Sequence, residues 1–124
     1  MKIIKTDKAP LPIGSYSQAV VHADTVFVSG QIAINPETNE LMTDNIEIET
    51  KTVLNNLKAV LEASGSSLDK VIKCSVFLSD MELFASVNEV YSQFFVNHKP
   101  AREAIAVKAL PKYVNVEISA IAAV

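Results

Sequence analysis

Two charged side chains stand inside the most apolar stretches of the C-terminal third. Arg102 opens "KPAREAIAV" (99–107), and Glu117 lies within "VNVEISAIAAV" (114–124). An arginine presents a planar fork of donors that can hold a carboxylate by two parallel hydrogen bonds. A glutamate beside it can take a proton from water. With no metal, such a pair suits hydration of a small substrate that carries a carboxylate. The same residues also suit a structural ion pair tying strands or subunits together, and their types and spacing leave both readings open.

Other chemistries fail on residue supply. His22 and His98 are the only histidines and Cys74 is the only cysteine, so no zinc-ligand spacing exists and no internal disulfide can form. Nothing places a histidine near a serine and an acid as a hydrolase triad requires. Cys74 lies within a strand-like run, where a buried thiol is expected. The three glycines, 14, 30 and 65, make no phosphate-cradling loop. No metal and no cofactor is expected.

The elements that must position Arg102 and Glu117 are legible in the hydrophobic periods. "AVVHADTVFVSGQIAI" (19–34) reads as two strands around a turn at "HADT", with Gly30 marking a bulge or a close backbone approach. Val53, Leu54, Leu57, Val60 and Leu61 trace one helical face, and Gly65 is placed to end that helix. "KVIKCSVFLS" (70–79) is a strand. Ser79 and Glu82 have capping-box spacing ahead of a second helical face, Leu83 to Phe95. Two strands close the chain, roughly 102–109 and 114–123, separated by "LPKY". The order predicts an α+β sheet of about six strands with two helices on one face. Period-2 alternation puts Arg102 and Glu117 on phases opposite to the bulkier β-branched residues. Both are therefore expected to point away from the helices, on a face of small residues that another subunit could cover.

Composition narrows the function classes. The 124 residues suit one domain, 1–124, and 49% hydrophobic content suffices for a core built from Val, Ile, Leu and Ala. A net charge of −3 argues against a nucleic-acid footprint. No apolar run reaches the length of a membrane span, and the N-terminal stretch is too short for a signal peptide. A cytoplasmic protein is expected.

The stretches "IGSYSQAV", "VFVSGQIAINPETNEL", "FASVNEVYSQFF", "KPAREAIAV" and "LPKYVNVEISAIA" together resemble the reactive intermediate deaminase family, the YjgF/YER057c/UK114 group. The resemblance runs from Lys2 to the C-terminus and implies a chorismate-mutase-like fold. It also implies a homotrimer with a central barrel of sheets, the helices outside and ligand clefts between subunits. The implied reaction is hydrolysis of 2-imino acids and their enamine tautomers, such as 2-iminobutyrate and 2-aminoacrylate, to 2-keto acids and ammonia. These intermediates arise from pyridoxal-phosphate-dependent dehydratases. On this resemblance Arg102 binds the substrate carboxylate and Glu117 positions or activates the attacking water. Tyr16 lines the cleft, Ser29 and Gly30 offer backbone contacts, and Asn88 occupies a position near the subunit interface. Where many relatives read P-x-R-S-C-[VI], this chain has Pro100-Ala101-Arg102-Glu103-Ala104-Ile105. Ala104 thus replaces the cleft cysteine: a contribution through the backbone N–H would survive the exchange, whereas any thiol-based redox or modification control would be absent, and Glu103 adds a charge expected near the cleft mouth. Two other classes stay in view: an RNA-directed ribonuclease or translation inhibitor, disfavoured by the charge, and a non-catalytic ligand-binding trimer.

Overall fold

A computed structural model describes all residues, Met1–Val124. Six strands form one mixed sheet: β1 (Lys2–Ile4), β2 (Ala19–His22), β3 (Thr25–Gln31), β4 (Val71–Leu78), β5 (Ala101–Ala106) and β6 (Val116–Ala123). Their spatial order is β1-β2-β3-β6-β4-β5. The helices are α1 (Ile46–Ala63) and α2 (Phe84–Phe94). β6 pairs antiparallel with both β3 and β4, and β5 pairs parallel with β4, so β3, β4 and β5 run the same way. The crossovers β3–α1–β4 and β4–α2–β5 progress in one direction across the sheet. Crossovers of one hand then lay both helices on the same face. This is the α+β arrangement expected from the sequence.

The core lies between that face and the helices. Val53, Leu54, Leu57, Val60 and Leu61 of α1 are fully buried against Val116, Ile118, Ala120 and Ala122 of β6 and the inward residues of β4. Burying each large aliphatic side chain contributes about 1.5–3 kcal/mol. Asn45 caps α1 by accepting from the Ile48 N–H at 2.8 Å. Gly65, at φ 81°, closes it in a left-handed turn. No helix is long and apolar enough to cross a membrane.

Two local expectations are corrected, and one strand is added. The three-residue strand β1 has no sequence signal long enough to announce it. The cap ahead of α2 is Asp80, whose carboxylate accepts from the Glu82 N–H at 2.8 Å, while the Ser79 hydroxyl turns to Asn115 Oδ1 at 3.1 Å. β5 ends at Ala106, although the Val107 N–H still reaches the Leu78 carbonyl at 2.9 Å.

One charged residue in the core was not foreseen. Glu49, in the first turns of α1, is fully buried. Its carboxylate accepts from Asn115 N at 2.7 Å, Asn115 Nδ2 at 2.9 Å and Val116 N at 3.0 Å. These bonds fix the start of β6 against the positive end of α1. Glu49→Gln would turn an amide N–H toward that donor cluster. We expect a loss of roughly 2–3 kcal/mol, since a buried donor left unsatisfied costs about that much. Urea unfolding at fixed subunit concentration, with an unchanged m-value, measures it.

Candidate active site

Arg102 and Glu117 do not share a face of the sheet. Arg102 is in register with Cys74, and Cys74 with Ala120; both partners are buried beneath the helices. Glu117 is in register with Phe77, which in turn faces Ile105. The expectation that both side chains leave the helix side therefore holds for Glu117 alone. It fails for Arg102 because bulk does not report burial on an edge strand. Ile105, the bulkiest residue of β5, is 46% exposed. The smaller Ala104 shares Arg102's face and packs against the core.

The Arg102 half of the site is a held guanidinium. Its Nη1 donates to Asn88 Oδ1 at 2.8 Å. Its central carbon lies 4.8 Å from the centre of the Tyr91 ring and 5.3 Å from that of Phe84, both from α2. Cation–π contact with two rings holds the guanidinium in place while leaving donors free, and each such contact contributes about 0.5–1 kcal/mol at an exposed site. The period of α2 brings the three residues together, since 84, 88 and 91 fall on one helical face. Arg102 has no carboxylate partner: the chain's one salt bridge joins Lys73 and Glu103 at 2.9 Å. Behind it, burial pushes the Cys74 thiol up, against the weaker opposing pull of the Tyr91 hydroxyl and the Arg102 charge. Cys74 is therefore a packed thiol and not a nucleophile.

The Glu117 half lies on the opposite face, in a small cavity of about 70 Å³ lined by Tyr16, Gly30, Gln31, Ile32 and Pro111 among others. The Glu117 carboxylate accepts no hydrogen bond within the chain, and burial raises its pKa. Gly30 explains how it fits. The β3–β6 register slips between Val28 and Gln31, so β3 bulges at Ser29–Gly30 beside Glu117. A Cβ on residue 30 would lie 2.8 Å from Glu117 Cδ and nearer still to Oε2. Only a residue without Cβ leaves the carboxylate its place. Gly30→Ala should therefore move the carboxylate, a flexible end, with less than about 1 kcal/mol lost from the fold. We expect activity to fall far more than stability, read as kcat/KM beside thermal unfolding.

The loop carrying Tyr16 is held by one side chain. Gln18 Oε1 accepts from the Thr6 N–H at 2.7 Å, and Gln18 Nε2 donates to the carbonyls of Thr6, Ala9 and Pro10 at 3.0, 3.3 and 2.8 Å. Tyr16, half exposed, accepts from the Ile13 N–H at 3.4 Å through its hydroxyl. Ser29 is adjacent, but its N–H is taken by the Gln18 carbonyl at 3.0 Å and its hydroxyl by the Ser17 carbonyl at 2.6 Å. Glu103 does not lie on Arg102's face of the sheet. It points to the helix-free face, where the Ser75 hydroxyl and the Lys73 ammonium hold its carboxyl below the usual range.

The predicted residues thus form two groups: Arg102, Asn88 and Ala104 on the helix side, and Tyr16, Ser29, Gly30 and Glu117 on the other. Sequence reasoning missed the stacking role of Tyr91 and Phe84, which read as helix packing, and the bracing role of Gln18. Glu49 carried a usable signal, a charge four residues before Val53 in the apolar stripe of α1. No three histidine, cysteine, aspartate or glutamate side chains converge as a metal site would need.

Comparison with known proteins agrees with this architecture. Residues 6–124 match the family described as Endoribonuclease L-PSP. A RutC family protein of Pyrococcus abyssi is 50% identical over 121 residues, covering 98% of this chain and 95% of its own length. A 2-iminobutanoate/2-iminopropanoate deaminase of Rattus norvegicus is 45% identical over 121 residues, covering 98% and 88%. The crystal structure of Escherichia coli TdcF with bound serine superposes with a TM-score of 0.96 at 42% identity, covering 100% of this chain and 99% of that one. The chain belongs to the Endoribonuclease L-PSP family, the YjgF/RutC group.

Proposed function

We propose that this protein hydrolyses 2-imino acids and their enamine tautomers to 2-keto acids and ammonia, in clefts between the subunits of a cytoplasmic homotrimer. The observation that carries the reading is a pair of opposite charges, neither with an ionic partner in the chain, on opposite faces of one sheet. A braced guanidinium and a half-buried carboxylate cannot meet within a chain, but they can meet where the helix-side edge of one copy abuts the open face of another. The open face supports such contact. Phe27 on β3 and Ile105 on the edge strand β5 are each about half exposed there, and no helix covers that face.

The chemistry follows from the two groups. The Arg102 fork receives the substrate carboxylate and fixes the imine carbon. Glu117 removes a proton from water as the oxygen bonds to the carbon of the protonated imine, giving a neutral carbinolamine. That proton passes to the amine nitrogen, the C–N bond breaks as the carbinolamine hydroxyl gives its own proton to Glu117, and ammonia and the 2-keto acid leave. Tyr16 and Gly30 wall the carboxylate side, and the backbone at Ala104 continues the Arg102 wall. No metal or cofactor enters this scheme. The deaminase name of the rat relative and the free amino acid bound to TdcF support a ligand of this class.

An RNA-directed activity, which the family description names, has less support: the net charge is −3 and the sequence carries no basic–aromatic run. The deciding experiment couples the protein to a threonine dehydratase and follows 2-ketobutyrate and ammonia formation. Faster product release with the protein present supports the reading, and an unchanged rate at saturating dehydratase product sinks it.

A further inference from the structure

The cavity beside Arg102 carries a second cation that the deaminase reaction does not use. It occupies about 530 Å³ between the C-terminal half of α2 and the start of β5. In the single chain this open half-cleft is larger than a four-carbon imino acid requires, and in the proposed trimer the neighbouring copy supplies its remaining wall. Among its lining residues are Asn88, Tyr91, Ser92, Lys99 and Arg102, and none of the eight is an aspartate or glutamate.

Both cations lack an anionic partner. The chain's one salt bridge is Lys73–Glu103, on the other face of the sheet. Glu89, on α2 next to Asn88, lines a different cavity with Ile46 and Glu47. The two cations also differ in kind. Arg102 is held by Asn88 and by two aromatic rings, which suits a carboxylate that must not pivot. Lys99 is exposed and makes no hydrogen bond, so its ammonium is a movable point charge. Pro100 restricts the Lys99 backbone to extended geometry, which limits where that stem begins.

We infer that this cavity takes 2-imino acids bearing a second acidic group, with Arg102 on the 2-carboxylate and Lys99 on the distal carboxylate. The inference rests on the proposed deaminase reading for the imine, though not for the second anion. Such substrates are imino dicarboxylates, made by enzymes that oxidise the amine of acidic amino acids. Lys99 is then a specificity residue: it touches the part of the ligand that does not react.

The test compares 2-ketoglutarate with 2-ketobutyrate by calorimetry on the assembled protein, wild type against Lys99→Met and Lys99→Arg. It is joined by kcat/KM on imino dicarboxylates and imino monocarboxylates generated in situ by an amino acid oxidase. A charge-assisted contact predicts a dicarboxylate preference that falls about tenfold in Lys99→Met. Lys99→Arg should keep most of it, and added salt should shrink it. Equal preference in wild type and Lys99→Met overturns the inference, and if imine turnover is intact the deaminase reading survives. A Lys99-dependent preference without turnover of any imine keeps the anion site and overturns the deaminase reading. Failure to bind either keto acid overturns both.

Discussion

Glu117→Gln is expected to slow imine hydrolysis by about 10²–10⁴-fold, the usual contribution of a positioned general base. Glutamine keeps the shape beside Gly30 but offers no oxygen that can hold a proton. The binding of 2-keto acids should change little, because the proposed mechanism gives their carboxylate to Arg102. Two further readouts separate this role from a structural one. Burial raises the Glu117 pKa, so the acid limb of the wild-type kcat/KM profile should lie above the ordinary glutamate range. Activity rises with pH through that limb as the base ionises, and the glutamine variant should lose the limb. Stability should move in the other direction. With its folded pKa above the unfolded one, Glu117 destabilises the fold progressively as pH rises from the unfolded value through the folded value. Above that window the deficit is constant. Glu117→Gln removes the deficit and should be neutral or stabilising at pH 7. Unchanged turnover in a normally assembled variant would reduce Glu117 to a packing residue.

Arg102→Lys should cost on the order of 10²-fold in kcat/KM, although the charge is kept. An exposed ion pair would lose at most about 1 kcal/mol in the same exchange. Lysine cannot span Asn88 and the substrate with one planar group, nor lie flat on Tyr91 and Phe84, so the carboxylate pivots and the imine carbon leaves the path of the water. Calorimetry with 2-ketobutyrate should show weaker binding as well. Mixing this variant with Glu117→Gln then tests where the two groups meet. In a trimer whose clefts each take Arg102 from one chain and Glu117 from its neighbour, every mixed trimer has one intact cleft of three. Random reassembly of equal amounts should thus restore about a quarter of wild-type activity from two nearly inactive proteins. No recovery, with mixing verified by mass, would place both groups in one chain's site and contradict the geometry.

Much of this arrangement was legible in the residues. The α1 and α2 stripes, the hairpin around Ala23 and the alternation of β6 are periodic signals strong enough to fix type and place. Arg102 and Glu117 stood out because a charge inside an apolar run needs a reason. The relation between them was not legible. Their faces were assigned by contrasting bulky with small side chains, which works for the central strand β6, covered on one side by helices. It fails for β5, where most residues are exposed and the small ones face the core. Nor could local pattern show that Gln18 binds residues 8 to 12 positions upstream, or that Glu49 reaches Asn115 across 66 residues. Those contacts are long-range, and only the folded chain brings them together.

The loop bound by Gln18 has a consequence for how such a protein can change. Between Thr6 and Tyr16 no residue belongs to the sheet; four hydrogen bonds from one amide side chain hold its backbone at Thr6, Ala9 and Pro10 instead. The loop is a cassette fastened just ahead of β2 by Gln18 and plugged into the core by Ala9. Exchanges at its other positions leave strand pairing where it is, yet Pro10, Leu11 and Ile13 line the cavity of Glu117 and would reshape it. On the proposed function, selectivity can then be rewritten apart from the chemistry, provided position 18 keeps both an acceptor and a donor and position 9 stays small and apolar.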